Sequence, residues 1–224
     1  MPKILGEEEK KSRERLIISQ TMELYDTLSF SEITMNMIAQ KCNMAKGTLF
    51  HYFPTKETLF AKILYREYAE WGIHELKGLS RHSAFTKSEY ISFVLEQTKY
   101  LLEYRMKMIR LVSMKRSIIN KNIAPEILAE EIQGLDQTIH KLSSITEAKI
   151  DFLTEEKIYN LYMVRHVILI GAYELATSPH NIQRLSEIHI KELAVIETEK
   201  IILNMTEEYL NLYCNEVQPQ EFLR

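Results

Sequence analysis

The sequence predicts an all-α chain, and three observations lead there. Apolar residues recur at spacings of three and four along most of the length. Glycine and proline are scarce, six and five in 224 residues, and no Asn-Gly or Asp-Gly pair is present to close a two-residue hairpin. Apolar residues make up 46% and charged residues 26%, enough to bury a core and too apolar for a disordered chain.

The elements follow in order. Residues 1–12, with Glu7-Glu8-Glu9 running into Lys10-Lys11, read as a solvated, flexible tail. A first helix carries Leu16, Ile17, Met22, Leu24, Tyr25 and Leu28 on a wide apolar face, and Ser29-Phe30-Ser31 ends it. Thr34 suits the N-cap of a short second helix over 35–42, because its hydroxyl can accept from an orphan amide. Asn43 breaks that helix, being one of the few side chains at ease in the left-handed region. A third helix runs over about 45–52. Pro54 cannot continue it. Thr55 then caps a longer helix that carries Leu59, Ile63, Leu64, Tyr68 and Trp71 toward Gly78, roughly 33 Å at 1.5 Å per residue. Beyond it, helical patterns cover 90–104, 105–119, 126–148, 155–176 and 183–213. The expected organisation is therefore a compact helical triplet over 13–54, a linking helix over 55–78 and a larger helical domain over 79–224.

Several classes of protein are disfavoured. The most apolar run, 167–176, is interrupted by Gly171 and Glu174 and preceded by Arg165 and His166. A bilayer span needs about 20 mostly apolar residues, and no signal peptide is evident. Two cysteines, Cys42 and Cys214, suggest neither a disulfide framework nor a zinc site and suit a reducing cytoplasm. Cys42 reads as a small buried filler. No His-Glu-x-x-His, Cys-x-x-Cys, Gly-x-Gly-x-x-Gly or phosphate loop occurs, and Gly78-Leu79-Ser80-Arg81-His82 misses the nucleophile-elbow pattern at its last position. The expectation is a cytoplasmic non-enzyme with no cofactor and no metal. The net charge of −3 taken alone argues against a nucleic-acid partner. Its distribution does not, because between residues 39 and 62 four lysines (Lys41, Lys46, Lys56, Lys62) face one acid, Glu57, while acids outnumber bases from Tyr65 onward.

Three short helices in about 40 residues, with a tight turn between the second and third, have the size of a helix-turn-helix unit, whose second helix enters the major groove. Ile38, Ala39, Met44 and Leu49 supply its apolar lock, while Lys46, Thr48, His51 and Tyr52 supply an outward face. The ordered run from Thr34 through Ile38-Ala39, Cys42-Asn43-Met44, Ala45-Lys46-Gly47-Thr48-Leu49-Phe50-His51-Tyr52-Phe53 and Lys56-Glu57-Thr58-Leu59 resembles the signature of the TetR family of transcriptional regulators. Met22-Glu23-Leu24-Tyr25 and Phe30 resemble that family's first helix, so the resemblance covers residues 13–64, and the remainder resembles the family only in helical character and length. It implies an N-terminal helix-turn-helix domain that grips double-stranded operator DNA, a C-terminal ligand-binding and dimerisation domain, and ligand-controlled repression. By the same resemblance Thr34 and Lys56 would contact phosphates, and Ala45, Lys46, Thr48, His51 and Tyr52 would face the groove. Gly47 would let the backbone approach DNA. Lys46 could reach guanine acceptors, and Ala45 and Thr48 could meet a thymine methyl. Cys42 and Asn43 stand where the family has Ala-Gly, and Met44 where it has Val. Phe50 replaces the common Tyr, which removes one phosphate hydrogen bond.

In the larger domain Trp71, Tyr100, Tyr104, Met108, Tyr162 and His166 are candidate pocket residues for an unidentified small-molecule effector, although such residues at helical spacing also read as plain core. Arg165 and His166, inside an apolar helix, suit a dimer seam or salt bridge as well as a ligand. The helices at 155–176 and 183–213 resemble the pair that builds the family's homodimer as a four-helix bundle. Two other readings stand beside this one: a helical small-molecule or partner-binding protein without useful DNA affinity, and an activator on the same plan.

Overall fold

The computed structural model describes residues 6–115, 118–176 and 198–215. The described residues form nine α-helices and one short 3-10 turn, with no strand, as the periodicity predicts. The helices are α1 (Glu7–Tyr25), α2 (Met35–Lys41), α3 (Lys46–Tyr52), α4 (Lys56–Ser80), α5 (Lys87–Tyr104), α6 (Met106–Met114), α7 (Pro125–Glu147), α8 (Glu155–Ala176) and α9 (Thr198–Asn215), with the 3-10 turn at Ile119–Asn122.

Some boundaries move, each for a local reason. Glu7 to Ser12 are helical rather than a flexible tail. Glu7, Glu8 and Glu9 fill the first turn of α1, where the positive end of the helix dipole favours acids, and Arg13 pairs with Glu9 one turn on. α5 starts at Lys87 because Thr86 and Glu89 form a reciprocal capping box. Gly78 does not end α4, which runs to Ser80. A Cβ at Gly78 would lie 2.8 Å from the Phe93 ring, so the glycine permits the close approach of α5. Of the helix expected over 183–213, the part at 183–197 lies outside the described residues and the rest is α9.

The chain divides into two compact units, Met1–Arg66 with Met114–Glu131, and Glu67–Ser113 with Ile132–Arg224. The division falls within α4 rather than at residue 54 or 78. The stretch after α6, expected in the larger domain, clusters with the first unit, where the Lys115 ammonium lies 5.5 Å from the Tyr65 ring centroid.

In the first unit the core is built on Ile17, Tyr25, Ile33, Ile38, Leu49 and Phe60, all fully buried. Phe60 receives Tyr25 and Phe30 edge-on at centroid distances of 5.4 and 4.9 Å, the arrangement that aromatic quadrupoles favour. In the second unit α9 packs on both α5 and α8. Arg105 bridges Glu67 and Glu70 at 3.0 and 2.8 Å. Among the described residues no helix is long and apolar enough to cross a membrane.

Candidate nucleic-acid interface and ligand cavity

The turn between α2 and α3 is built as the sequence predicts. Asn43 adopts φ 51°, alone among the described non-glycine residues in having a positive φ. Its N–H donates to the Gln40 carbonyl and the Met44 N–H donates to the Ala39 carbonyl, both at 3.0 Å. This pair of bonds is a Schellman closure, with Asn in the place that glycine usually takes. At the other end of α2 the Thr34 hydroxyl accepts from the Met37 N–H at 3.2 Å. Its own hydrogen remains available to donate outward.

Leu49 is fully buried and anchors α3, while Ala45, Lys46, Gly47, Phe50 and His51 are exposed and Thr48 is half-buried. A Cβ at Gly47 would meet nothing within 4 Å, so only an outside partner could require the glycine. Phe50 is 39% exposed, with the Lys46 ammonium 5.6 Å from its ring centroid. Cys42 is buried, and burial pushes its thiol up from the usual value, which keeps it protonated and inert.

Two expected contacts sit differently. Tyr52 is half-buried and its hydroxyl oxygen is enclosed without a partner among the described residues. It follows Leu49 by three residues and so shares that residue's inward side of the helix. The Lys56 ammonium donates to the Phe30 and Ile33 carbonyls at 2.6 and 2.7 Å and lies 4.1 Å from the Phe30 ring centroid. Burial lowers its pKa from the ordinary lysine value, with Glu57 opposing the shift. Two of its three hydrogens are committed, leaving at most one for a phosphate.

The second unit holds two clefts that share Tyr162 and Arg165 in their walls. Counting space open to solvent, one measures about 480 Å³ and the other about 370 Å³. Trp71, Met108, Tyr162 and His166 line the first. Tyr100 and Tyr104 line neither. Tyr100 stacks on His74 at 3.5 Å with the rings 3° from parallel, and Tyr104 is 70% exposed. The buried side of α5 carries Phe93, Val94, Gln97, Thr98 and Leu101, so residues 100 and 104, one turn apart, fall beside it.

The shared wall contains an ion pair. Arg165 donates through Nη2 to Glu75 Oε1, which also accepts from the Trp71 indole N–H at 3.0 Å. The guanidinium lies 5.1 Å from the Tyr162 ring centroid and 5.9 Å from that of Trp71. Glu75 is 1% and Arg165 5% exposed, and they are the only buried charged side chains among the described residues. Arg165 is thus a salt-bridge residue. Glu75 is the buried residue of this wall that sequence reasoning missed. Its signal was a carboxylate one turn after Trp71 on the apolar face of α4.

A short exposed helix, anchored by one buried leucine and set by a tight left-handed turn behind a capped partner helix, has the geometry of a helix-turn-helix unit. The family model described as bacterial regulatory proteins, tetR family, matches residues 17–63. Over that segment, about a fifth of its length, the chain is similar to the regulatory proteins of the tetR family. It is 32% identical over 65 residues to the HTH-type transcriptional repressor KstR of Mycobacterium tuberculosis, covering 29% of this chain and 30% of that one. An uncharacterized HTH-type regulator of Bacillus subtilis, YuxN, is 33% identical over 54 residues, 24% of this chain and 19% of its own. The match thus spans less than a third of these relatives. In fold, the chain is similar to a TetR regulator from Rhodococcus, with TM-score 0.54, 15% identity and 93% and 100% of the two chains covered. It is similar also to Thermus thermophilus FadR, a transcriptional repressor solved with lauroyl-CoA, with TM-score 0.57, 16% identity and 94% and 98% covered.

Proposed function

We propose that the protein is a dimeric, ligand-responsive transcriptional repressor in which α3 reads the major groove of operator DNA. The observation that carries this is the exposed face of α3, held by Leu49 and the Asn43 turn inside the family-matched segment. On this reading Lys46 reaches guanine acceptors, Ala45 and Thr48 meet thymine methyls, and His51 faces the groove. Thr34 donates to a phosphate, and Gly47 lets the backbone come close. Repression follows the printed description of the relative KstR. A binding protein without DNA affinity is not favoured, because the matched segment is the DNA-binding one.

The test is a mobility shift on DNA upstream of the protein's own gene across a salt series. Affinity should fall linearly in log–log form as salt rises. A folded protein that ignores every duplex at low salt overturns the reading. Within that assay, Phe50→Tyr is expected to tighten binding roughly five-fold by restoring one hydrogen bond to phosphate. The salt slope should stay unchanged, because no charge is added. An unaltered affinity removes position 50 from the contacts.

A single α3 reads too few base pairs, so two must be held about 34–36 Å apart by a twofold dimer. α8 and α9 carry unpartnered apolar side chains suited to that role. On α8, Met163 and Val167 are 40% and 66% exposed one turn apart, with exposed Gly171 a turn further. On α9, Met205 and Leu212 are 49% and 69% exposed at a spacing of seven. Val167→Asp is expected to give a monomer in sedimentation velocity and to weaken operator binding at least ten-fold. A variant that stays dimeric moves the interface off this face of α8.

A further inference from the structure

The inference here rests on the proposed ligand response, with the effector placed in the clefts of the second unit. It concerns what kind of molecule fits. Glu75 and Thr206, 1% and 3% exposed, both line the smaller cleft. Glu75 Oε2 and the Thr206 hydroxyl oxygen are buried without a hydrogen-bond partner among the described residues. A buried polar atom left unpaired is costly, and a ligand group that answers it gains by removing that cost. A carboxylate oxygen only accepts, so the missing partner must donate. A hydroxyl both donates and accepts, and so suits Glu75 and Thr206 together.

Charge narrows the class further. Arg165, the one buried cation among the described residues, is already neutralised by Glu75 Oε1. An anionic head would find no spare positive charge there and would meet the carboxylate. A cationic head is excluded from the other side. The Glu75–Arg165 pair is already neutral, so a second cation would bring an uncompensated charge into a buried wall whose Tyr162 and Trp71 rings are already faced by the guanidinium. The rest of the wall is apolar and aromatic, with Tyr90, Val94, Leu161, Ile168 and Leu210, the lining that small-molecule sites favour. We propose that the effector is an uncharged, mostly apolar molecule bearing a hydroxyl, which donates to Glu75 Oε2 and accepts from Thr206.

Trp71 is the only tryptophan of the chain, and its N–H shares the Glu75 carboxylate, so intrinsic fluorescence reports on this wall. Full-length protein titrated with 4-phenylphenol, biphenyl, biphenyl-4-carboxylate and 4-phenylbenzylamine compares one body with four heads. The phenol is expected to saturate the Trp71 signal at least ten-fold more tightly than the carboxylate and the amine. Thr206→Val is expected to reduce the preference for phenol over biphenyl about five-fold. Should that variant fail to fold, the ranking of the four probes on the unaltered protein decides alone. A preference for the carboxylate or the amine, or a phenol preference untouched by Thr206→Val, overturns the proposed class while the cleft stands as the effector site. Silence of Trp71 toward all four overturns the cleft as well.

Discussion

Arg165→Met is expected to lower the unfolding free energy of the second unit by about 3–5 kcal/mol, the usual cost of stranding one charge of a buried pair. The Met stem replaces much of the arginine's volume, so lost packing is a small part. What remains is Glu75 at 1% exposure with Oε1 stripped of its guanidinium. Denaturant unfolding followed at Trp71 measures this, since the indole belongs to that unit. The informative control is Arg165→Met combined with Glu75→Leu, because replacing both members of a buried pair by apolar groups is often neutral or better. Recovery should nevertheless be incomplete. The Trp71 N–H loses its acceptor in the double variant, and an unpaired buried donor costs about 1–3 kcal/mol. A double variant no more stable than Arg165→Met alone would show that the loss lies in packing and not in the stranded carboxylate.

What was legible in the sequence was mainly what is local. The Thr34 cap reaches three residues, and the Asn43 closure spans Ala39 to Met44, so composition and order were enough to read both. Leu49 marked the buried side of α3, although Tyr52, expected on the outward face, shares that side. Arg165 and Glu75 are 90 positions apart, and nothing between them announces the pairing. Periodicity places Tyr100 and Tyr104 near an apolar face but does not say which side of α5 its neighbours cover. Hence four of six expected cleft residues lie in the wall, while these two lie on His74 and at the surface. The stretch at 114–131 was assigned by order along the chain, whereas its clustering with the first unit depends on contacts that order does not carry.

Lys56 shows the same limit most sharply, and it carries the second large effect. The resemblance placed its ammonium on a phosphate, but its partners in the fold are carbonyls 26 and 23 residues back. Ile33 immediately precedes Thr34, so holding its carbonyl also fixes where α2 begins. Lys56→Met keeps most of the stem and removes both charge-assisted bonds and the contact with the Phe30 face. Each such bond contributes about 1.5–3 kcal/mol when enclosed. Because the site is only partly buried, water can reach the freed carbonyls, and a loss of about 2 kcal/mol for the first unit is expected. For DNA the two roles of Lys56 separate cleanly. A phosphate contact would lower the salt slope by about one. A latch would weaken binding about ten-fold at every salt concentration with the slope unchanged, because what is lost is the position of Thr34. It would also make Thr34→Ala nearly without further effect in the Lys56→Met background. A slope reduced by one in a protein of unaltered stability would restore Lys56 to the phosphate contacts, and the two carbonyl bonds would then yield to the backbone of the duplex.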